Sequence, residues 1–190
     1  MTTNMKSATK VTTGKVRLSY ANIWKARAIN EGDEPKYSVS LIIPKSDKAT
    51  LTKIQNAIKA AKAEGKEKLV NKQGIMPESI KIPLRDGDTD ETKAGDPAYA
   101  NCYFLNCSSK QRPKIVDKDV QPILDEEAVY SGCYARVSLN FYAFNSNGNK
   151  GIAAGLGNIQ FIADGEPLGG SSRPEDDFAD DFEDDNDILG

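Results

Sequence analysis

The chain has 190 residues, 38% of them hydrophobic, with 25 Lys and Arg against 28 Asp and Glu, three cysteines and no histidine. That length holds one domain of moderate size and a tail; no run nears the ~18 apolar residues of a membrane span, and the opening MTTNMKSATK lacks the apolar stretch of a secretory signal, so a cytosolic protein is expected. Absence of histidine removes the commonest general base and every Ser-His or Cys-His pair, and Cys102, Cys107 and Cys133 follow no zinc spacing, so they read as small buried strand residues.

Residues 1–10 are polar and expected to fray. KVTTGKVRLSYANIW (10–24) reads as a strand in which Val16, Leu18 and Tyr20 alternate with Lys15, Arg17 and Ser19. KYSVSLIIP (36–44) reads as a second, with Tyr37, Val39, Leu41 and Ile43 on one face. Gly32 and Pro35 break the chain between them. SDKATLTKIQNAIKAAKAEG (46–65) has Leu51, Ile54, Ile58 and Ala61 at helical spacing, Ser46 as expected cap, Asp47 at the positive dipole end and Gly65 as the stop. Its lysine-rich outer face reads as a solvated surface, with contact to DNA as the sharper alternative.

Residues 66–98 are expected to be irregular. Asp86, Asp88, Asp90 and Glu91 begin like a calcium loop, but Glu91 stands where the sharp-turn glycine belongs and Pro97 where the closing glutamate does. YANCYFLNCSS (99–109) and GCYARVSLNFYAF (132–144) read as strands, with KQRPKIVDKD (110–119) as a basic loop. Asn147-Gly148 suits positive φ, so IAAGLGNIQFI (152–162) returns beside the strand before it. Mainly β, with one substantial helix after the second strand, points to an OB-fold-like antiparallel barrel; a two-layer α+β sheet is the alternative. The expected division is an OB-like nucleic-acid-binding domain over 1–165 and a flexible, disordered acidic C-terminal tail over 166–190.

Alternation along 133–144 sets Ala135, Val137, Leu139, Phe141 and Ala143 on one face. The other carries Tyr134, Arg136, Ser138, Asn140, Tyr142 and Phe144, rings with a guanidinium among them. Such a face can stack bases and hold phosphates; the plainer reading is a sheet packed on both sides. Two more groups mix bases and rings: Tyr20, Trp24, Lys25 and Arg27, and Lys110, Arg112 and Lys114 just after Tyr103 and Phe104. The charge supports a polyanion ligand. All 25 bases and 19 of the 28 acids lie in residues 1–174, a net +6, while 175–190 carry nine acids and no base. Ordinary solubility charge would also explain that modest excess. Among the nine acids stand Phe178, Phe182, Ile188 and Leu189, apolar anchors suited to a partner's groove rimmed by bases. A Walker A sequence and a nucleophile elbow are both absent.

VTTGKVRLSYANIW, PKYSVSLIIPKSD, IPLRDGD, DPAYANCYFLNCSSKQRP and VYSGCYARVSLNFYAFNSNGNKGIAAGLGNIQ resemble a family of bacteriophage and prophage proteins, long catalogued as a domain of unknown function, whose members are regarded as single-stranded DNA-binding proteins. The resemblance covers about residues 11–182. It implies an OB-type fold and sequence-tolerant binding of single strands in phage DNA replication or recombination, in the cytoplasm of a bacterial host; with the catalytic constellations missing, no enzymatic activity is expected. It also implies that the tail recruits replication or recombination proteins. Cellular relatives close their tails with Pro-Phe, whereas this sequence closes with Ile188-Leu189-Gly190, a departure from that partner motif. No cofactor, metal or membrane is expected; a homo-oligomer is compatible with the sequence.

The rivals are a metal-dependent phage nuclease or recombination enzyme built on Asp86 to Glu91, and an adaptor whose only ligand is protein. Beside the plainer alternative of a tail that only solubilises, a second expected role for the tail is to lie across the body's own basic groove as a polyanion mimic that DNA displaces. Deleting 175–190 is therefore expected to raise affinity for single strands, most at low salt where screening is weak. Fluorescence anisotropy with a labelled oligo-dT checks this, and unchanged affinity at low salt would refute the competition.

Overall fold

A computed structural model describes residues 7–28 and 30–168. In chain order it contains β1 (Lys10–Thr12), β2 (Val16–Arg27), β3 (Lys36–Pro44), α1 (Lys48–Glu64), α2 (Lys66–Leu69), β4 (Leu84–Asp86), a 3-10 turn (Pro97–Tyr99), β5 (Cys102–Ser109), β6 (Ile115–Val116), β7 (Tyr134–Ser146) and β8 (Asn149–Ala163). Strand β3 pairs antiparallel with β2 and β5, β8 parallel with β5 and antiparallel with β7, and β7 antiparallel with β2. Five strands thus close on themselves in the order β2-β3-β5-β8-β7, the closed Greek-key barrel of an OB fold. Closure removes the open edges that a five-stranded sheet would expose.

The expected core faces hold. Val39, Leu41 and Ile43 point inward from β3, Val137, Leu139 and Phe141 from β7, and all are buried. Each side chain of this size contributes about 1.5–3 kcal/mol on burial. Asn147 and Gly148 both have positive φ and close the β7–β8 hairpin between Ser146 and Asn149. The 13- and 15-residue strands run past the expected limits because only those two residues leave the ladder.

Helix α1 buries Leu51, Ile54 and Ile58 and packs on β1, β7 and β8. Asp47, not Ser46, caps it: its carboxylate accepts from the Thr50 amide at 3.2 Å. The reason is visible one element earlier. Gly14 comes so close that its amide donates to Thr50 Oγ1, which fixes the first turn around Asp47. This contact also ends β1, so the expected strand 10–24 divides, and β1 leaves the barrel to pair with β7.

Two further departures bear on the site. Tyr20 does not join Val16 and Leu18 inside; a bulge with φ of +47° turns it outward to 63% exposure, and Ile23 takes the next inward place. The segment 66–98 is also more structured than expected. Strand β4 pairs with β5, and the chain after it folds back over the outer face of the barrel. There Tyr99 meets Phe104 edge-on at 5.4 Å beside Ile42, a small second core, and the Tyr99 hydroxyl bonds to Ser19. The strand expected from residue 99 starts at Cys102 because Pro97–Tyr99 form the turn of that excursion.

Gly65 follows α1 where a Cβ would overlap the methyl of Ala143 on β7. Gly65→Ala is expected to cost about 1–3 kcal/mol of stability through overpacking, read as a lower midpoint in urea unfolding.

Candidate nucleic-acid interface

The outer faces of β2, β3 and β5 carry short uncharged polar side chains. Register places Ser19, Ser40 and Asn106 in one row and Asn22, Ser38 and Ser108 in the next. These rows alternate with the buried inner residues of the same strands, so the core pattern fixes which side chains face out. A groove of about 340 Å³ runs over these rows, except for Ser19, which is buried against the Tyr99 hydroxyl; it is bounded by Tyr20, Arg85, Thr92 and Lys93. The bulge of β2 supplies Tyr20 to that wall, β4 supplies Arg85, and the excursion after β4 supplies Thr92 and Lys93.

The wall is held by cation and ring together. The Lys93 ammonium lies 4.4 Å from the centre of the Tyr20 ring and 5.0 Å from that of Tyr99, and donates to the Tyr20 hydroxyl at 3.2 Å. Beyond Asn22 on the same side of β2 comes Trp24, half-buried, with its indole N–H bonded to the Val129 carbonyl. The Arg112 guanidinium lies 5.7 Å from the centre of its ring. Arg27, Lys36 and Lys110 gather beyond it together with Asp33 and Glu34, and Lys110 is paired to Glu34 at 3.0 Å. An uncharged floor therefore lies between two clusters that each join an aromatic ring to cations. Single-strand sites combine stacking rings with bases in this way.

The residues singled out from sequence divide over two walls. Tyr20, Trp24, Arg27, Lys110 and Arg112 gather along the groove and its open end. Lys25 and Lys114 are exposed nearby in sequence, Lys25 on β2 and Lys114 just before β6. Tyr103 lies instead on the inward side of β5, packed against the main core with the Lys45 ammonium 5.3 Å from its ring centre. Tyr134, Arg136 and Tyr142 project from β7, and β2 stands between β7 and β3. The Tyr134 ring lies under Lys15 and Arg17, and Arg136 Nε donates to the Thr13 carbonyl. Tyr142 is 46% exposed on that wall. Ser138 and Asn140 line a different cleft, between β1, α1 and the β7–β8 pair. The anchors Phe178, Phe182, Ile188 and Leu189 lie outside the described residues.

Sequence reasoning missed Arg85, Lys93, Ser38, Ser40, Asn106 and Ser108. The four polar strand residues did leave a signal. On β3 and β5 the positions between the apolar ones are hydroxyls and amides rather than the charges of a solvated strand. Arg85 and Lys93 left none, because their places depend on β4 pairing with β5 and on the excursion after it folding back.

The acids of that excursion are engaged internally. Lys45 Nζ lies 2.9 Å from Asp86 and 2.7 Å from Asp88. Hydrogen bonds from Lys45, joined by backbone amides, hold both carboxyls below the usual range, and bonds from Thr92 do the same for Asp90. Among the described residues no group of His, Cys, Asp or Glu is placed to hold a metal ion. Burial pushes the Cys102 and Cys107 thiols up, which leaves them poor nucleophiles near neutral pH.

The chain matches, over residues 9–189, the model of a family described as the single-stranded DNA-binding protein of Enterobacter phage Enc34. The chain belongs to this family. It is 30% identical over 178 residues to protein p50 of Acyrthosiphon pisum secondary endosymbiont phage 1, covering 90% of this chain and 93% of that protein. Its fold is similar to that of the bacteriophage Enc34 protein solved in complex with single-stranded DNA, with a TM-score of 0.73, 23% identity, and 85% of this chain and 90% of that one covered. It is also similar to gp2.5, a single-stranded DNA-binding protein of bacteriophage T7, with a TM-score of 0.58, 16% identity, and coverage of 83% and 93%. The mainly β barrel with one long helix is thus the architecture of these phage proteins.

Because Asp86 and Asp88 have depressed pKa values, their bond to Lys45 contributes stability that is complete above about pH 3.9, the unfolded carboxyl value, and is lost as pH falls through the folded values. Lys45→Ala should return both titrations, followed by carboxyl carbon NMR, upward toward that value. Titrations that stay low in the variant would assign the shift to the backbone amides alone.

Proposed function

We propose that the chain is a non-catalytic, sequence-tolerant binder of single-stranded DNA, acting in phage DNA replication or recombination in the cytoplasm of the host cell. The observation that carries this reading is the uncharged groove floor set between two ring-and-cation clusters, on the face where OB folds bind oligonucleotides. Family membership supports it. Bases stack on Tyr20 at one end and on Trp24 at the other, while Arg85, Lys93, Arg27, Lys36, Lys110 and Arg112 meet phosphates. A duplex keeps its bases paired and stacked, so it cannot offer their faces to those rings.

The body over 1–165 does the binding in this reading, and the acidic residues over 166–190 recruit replication or recombination proteins. Lys25 and Lys114 do not line the groove, and Tyr103, Tyr134, Arg136 and Tyr142 face elsewhere, so any contact these four make with a strand requires it to wrap beyond that face. Against the nuclease alternative stands the acid run itself, since Asp86 and Asp88 already hold Lys45. No helix among the described residues is long and apolar enough to cross a membrane.

Anisotropy of a labelled oligo-dT against the full chain, across a salt series and with a duplex control, tests the proposal. Tyr20→Ala is expected to weaken binding by about 1–3 kcal/mol, one stacked base. Arg112→Ala should lower the slope of log affinity against log salt by about 0.7, one phosphate. Tyr142→Ala, on the other wall, should leave affinity unchanged. Failure of the wild-type chain to bind oligo-dT at moderate salt would overturn the reading and favour a protein ligand.

A further inference from the structure

We infer that the groove floor takes the edge of one nucleobase and bonds to it, so that a sequence-tolerant site still tests each base it holds for hydrogen-bonding capacity. The inference rests on the single-strand reading above and deepens it from stacking to edge contact. Its starting point is Ser40. That residue is 3% exposed and lines the groove, and its Oγ is the one buried side-chain N or O atom without a hydrogen-bond partner among the described residues. Buried polar groups are nearly always paired, because an unpaired one loses its bond to water without replacement. The partner for this hydroxyl is then to be sought outside the chain. Rotation about χ1 moves Oγ between staggered positions, so the group can turn toward an arriving ligand.

Its neighbours suit the same ligand. Asn106 lies directly across from Ser40 on β5, and Ser108 across from Ser38. Neither Asn106 nor Ser108 has a side-chain hydrogen bond within the described residues, whereas Asn22 Nδ2 is turned onto the Tyr20 carbonyl and Ser38 Oγ. Hydroxyl and carboxamide groups both donate and accept. The edge of every natural base also presents acceptors and, in most cases, donors side by side. A floor with no fixed charge and reorientable groups can therefore satisfy any base without choosing one strongly. The volume of about 340 Å³ lies at the low end of small-molecule pockets, consistent with one base rather than a stack. Tyr20 at the lip supplies a face for that base, and its backbone at φ of +47° is a conformation that bulky residues seldom adopt.

The test compares oligo-dT with an oligonucleotide of equal length in which difluorotoluene replaces every thymine. That base analogue keeps thymine's shape and stacking but forms almost no hydrogen bonds. The full-length chain should bind it about tenfold or more weakly, the effect of leaving buried polar groups unpaired. Ser40→Ala and Asn106→Ala should each shrink the difference. Ser40→Ala should also melt at or above the wild-type temperature, since it deletes an unpaired buried group, while binding oligo-dT less tightly. Equal binding of both oligonucleotides by the wild-type chain would overturn edge contact and leave the stacking groove standing. Binding of neither would instead overturn the single-strand reading. A Ser40→Ala chain with unchanged affinity for oligo-dT would remove Ser40 from the contact.

Discussion

Strands β3 and β5 pair without interruption from Tyr37 opposite Ser109 to Pro44 opposite Cys102, and this register is the constraint on which the site depends. Side chains alternate across a strand, so a slip of one residue would turn every inward group outward. With the register as it is, Val39, Leu41, Leu105 and Cys107 enter the core, and Ser38, Ser40, Asn106 and Ser108 form the groove floor. The inner residues resist slippage because exposing them would return their apolar surface to water. The hydrophobic core thus fixes the position of polar groups that contribute little to it. A site on paired strands of a closed barrel is held more rigidly than one on loops.

A smooth floor would hold a strand poorly, and two irregularities give the groove its walls. The bulge at Tyr20 breaks the alternation of β2, so one ring that belonged inside stands at the lip. The excursion after β4 then returns over the outer face and is anchored there by Tyr99 against Phe104 and Ile42. Lys93 links the two features, since its ammonium contacts both Tyr20 and Tyr99. Asp86 and Asp88 hold the base of the excursion through Lys45, which places their negative charge in an ion pair. What reads as a run of acids in the sequence acts in the fold as part of the support for a basic wall.

These two irregularities mark the limit of what the sequence disclosed. The barrel, the helix after its second strand and the β7–β8 turn were legible, because each rests on a local period or a turn residue with a physical preference. Tyr20, Trp24, Arg27, Lys110 and Arg112 were legible as chemistry, though not as neighbours. Their proximity depends on which strands meet across the barrel, and no local pattern encodes the meeting of β3 with β5. The strongest local pattern, the ring-rich face of β7, drew attention to a different wall. Alternation shows which residues leave the core, but not what covers them afterwards: Lys15 and Arg17 lie over Tyr134, and β1 pairs alongside Asn140.

The distribution of charge along the groove separates two tasks that a uniform basic cleft would merge. Arg85 and Lys93 stand at one end, Arg27, Lys36, Lys110 and Arg112 at the other, and the floor between them has no ionised group. In the proposed reading, cations at the ends would attract phosphates over a Debye length and respond to salt. Groups on the floor act only at contact distance and respond to the base. Had a lysine stood at Asn106, its charge would have favoured base edges rich in acceptors and narrowed the range of sequences held. A serine or asparagine can reorient its donors and acceptors instead, so under the inferred edge contact the floor would meet different bases at similar free energy. On the proposed reading, sequence tolerance would then arise from polar groups that adapt as well as from rings that accept every base.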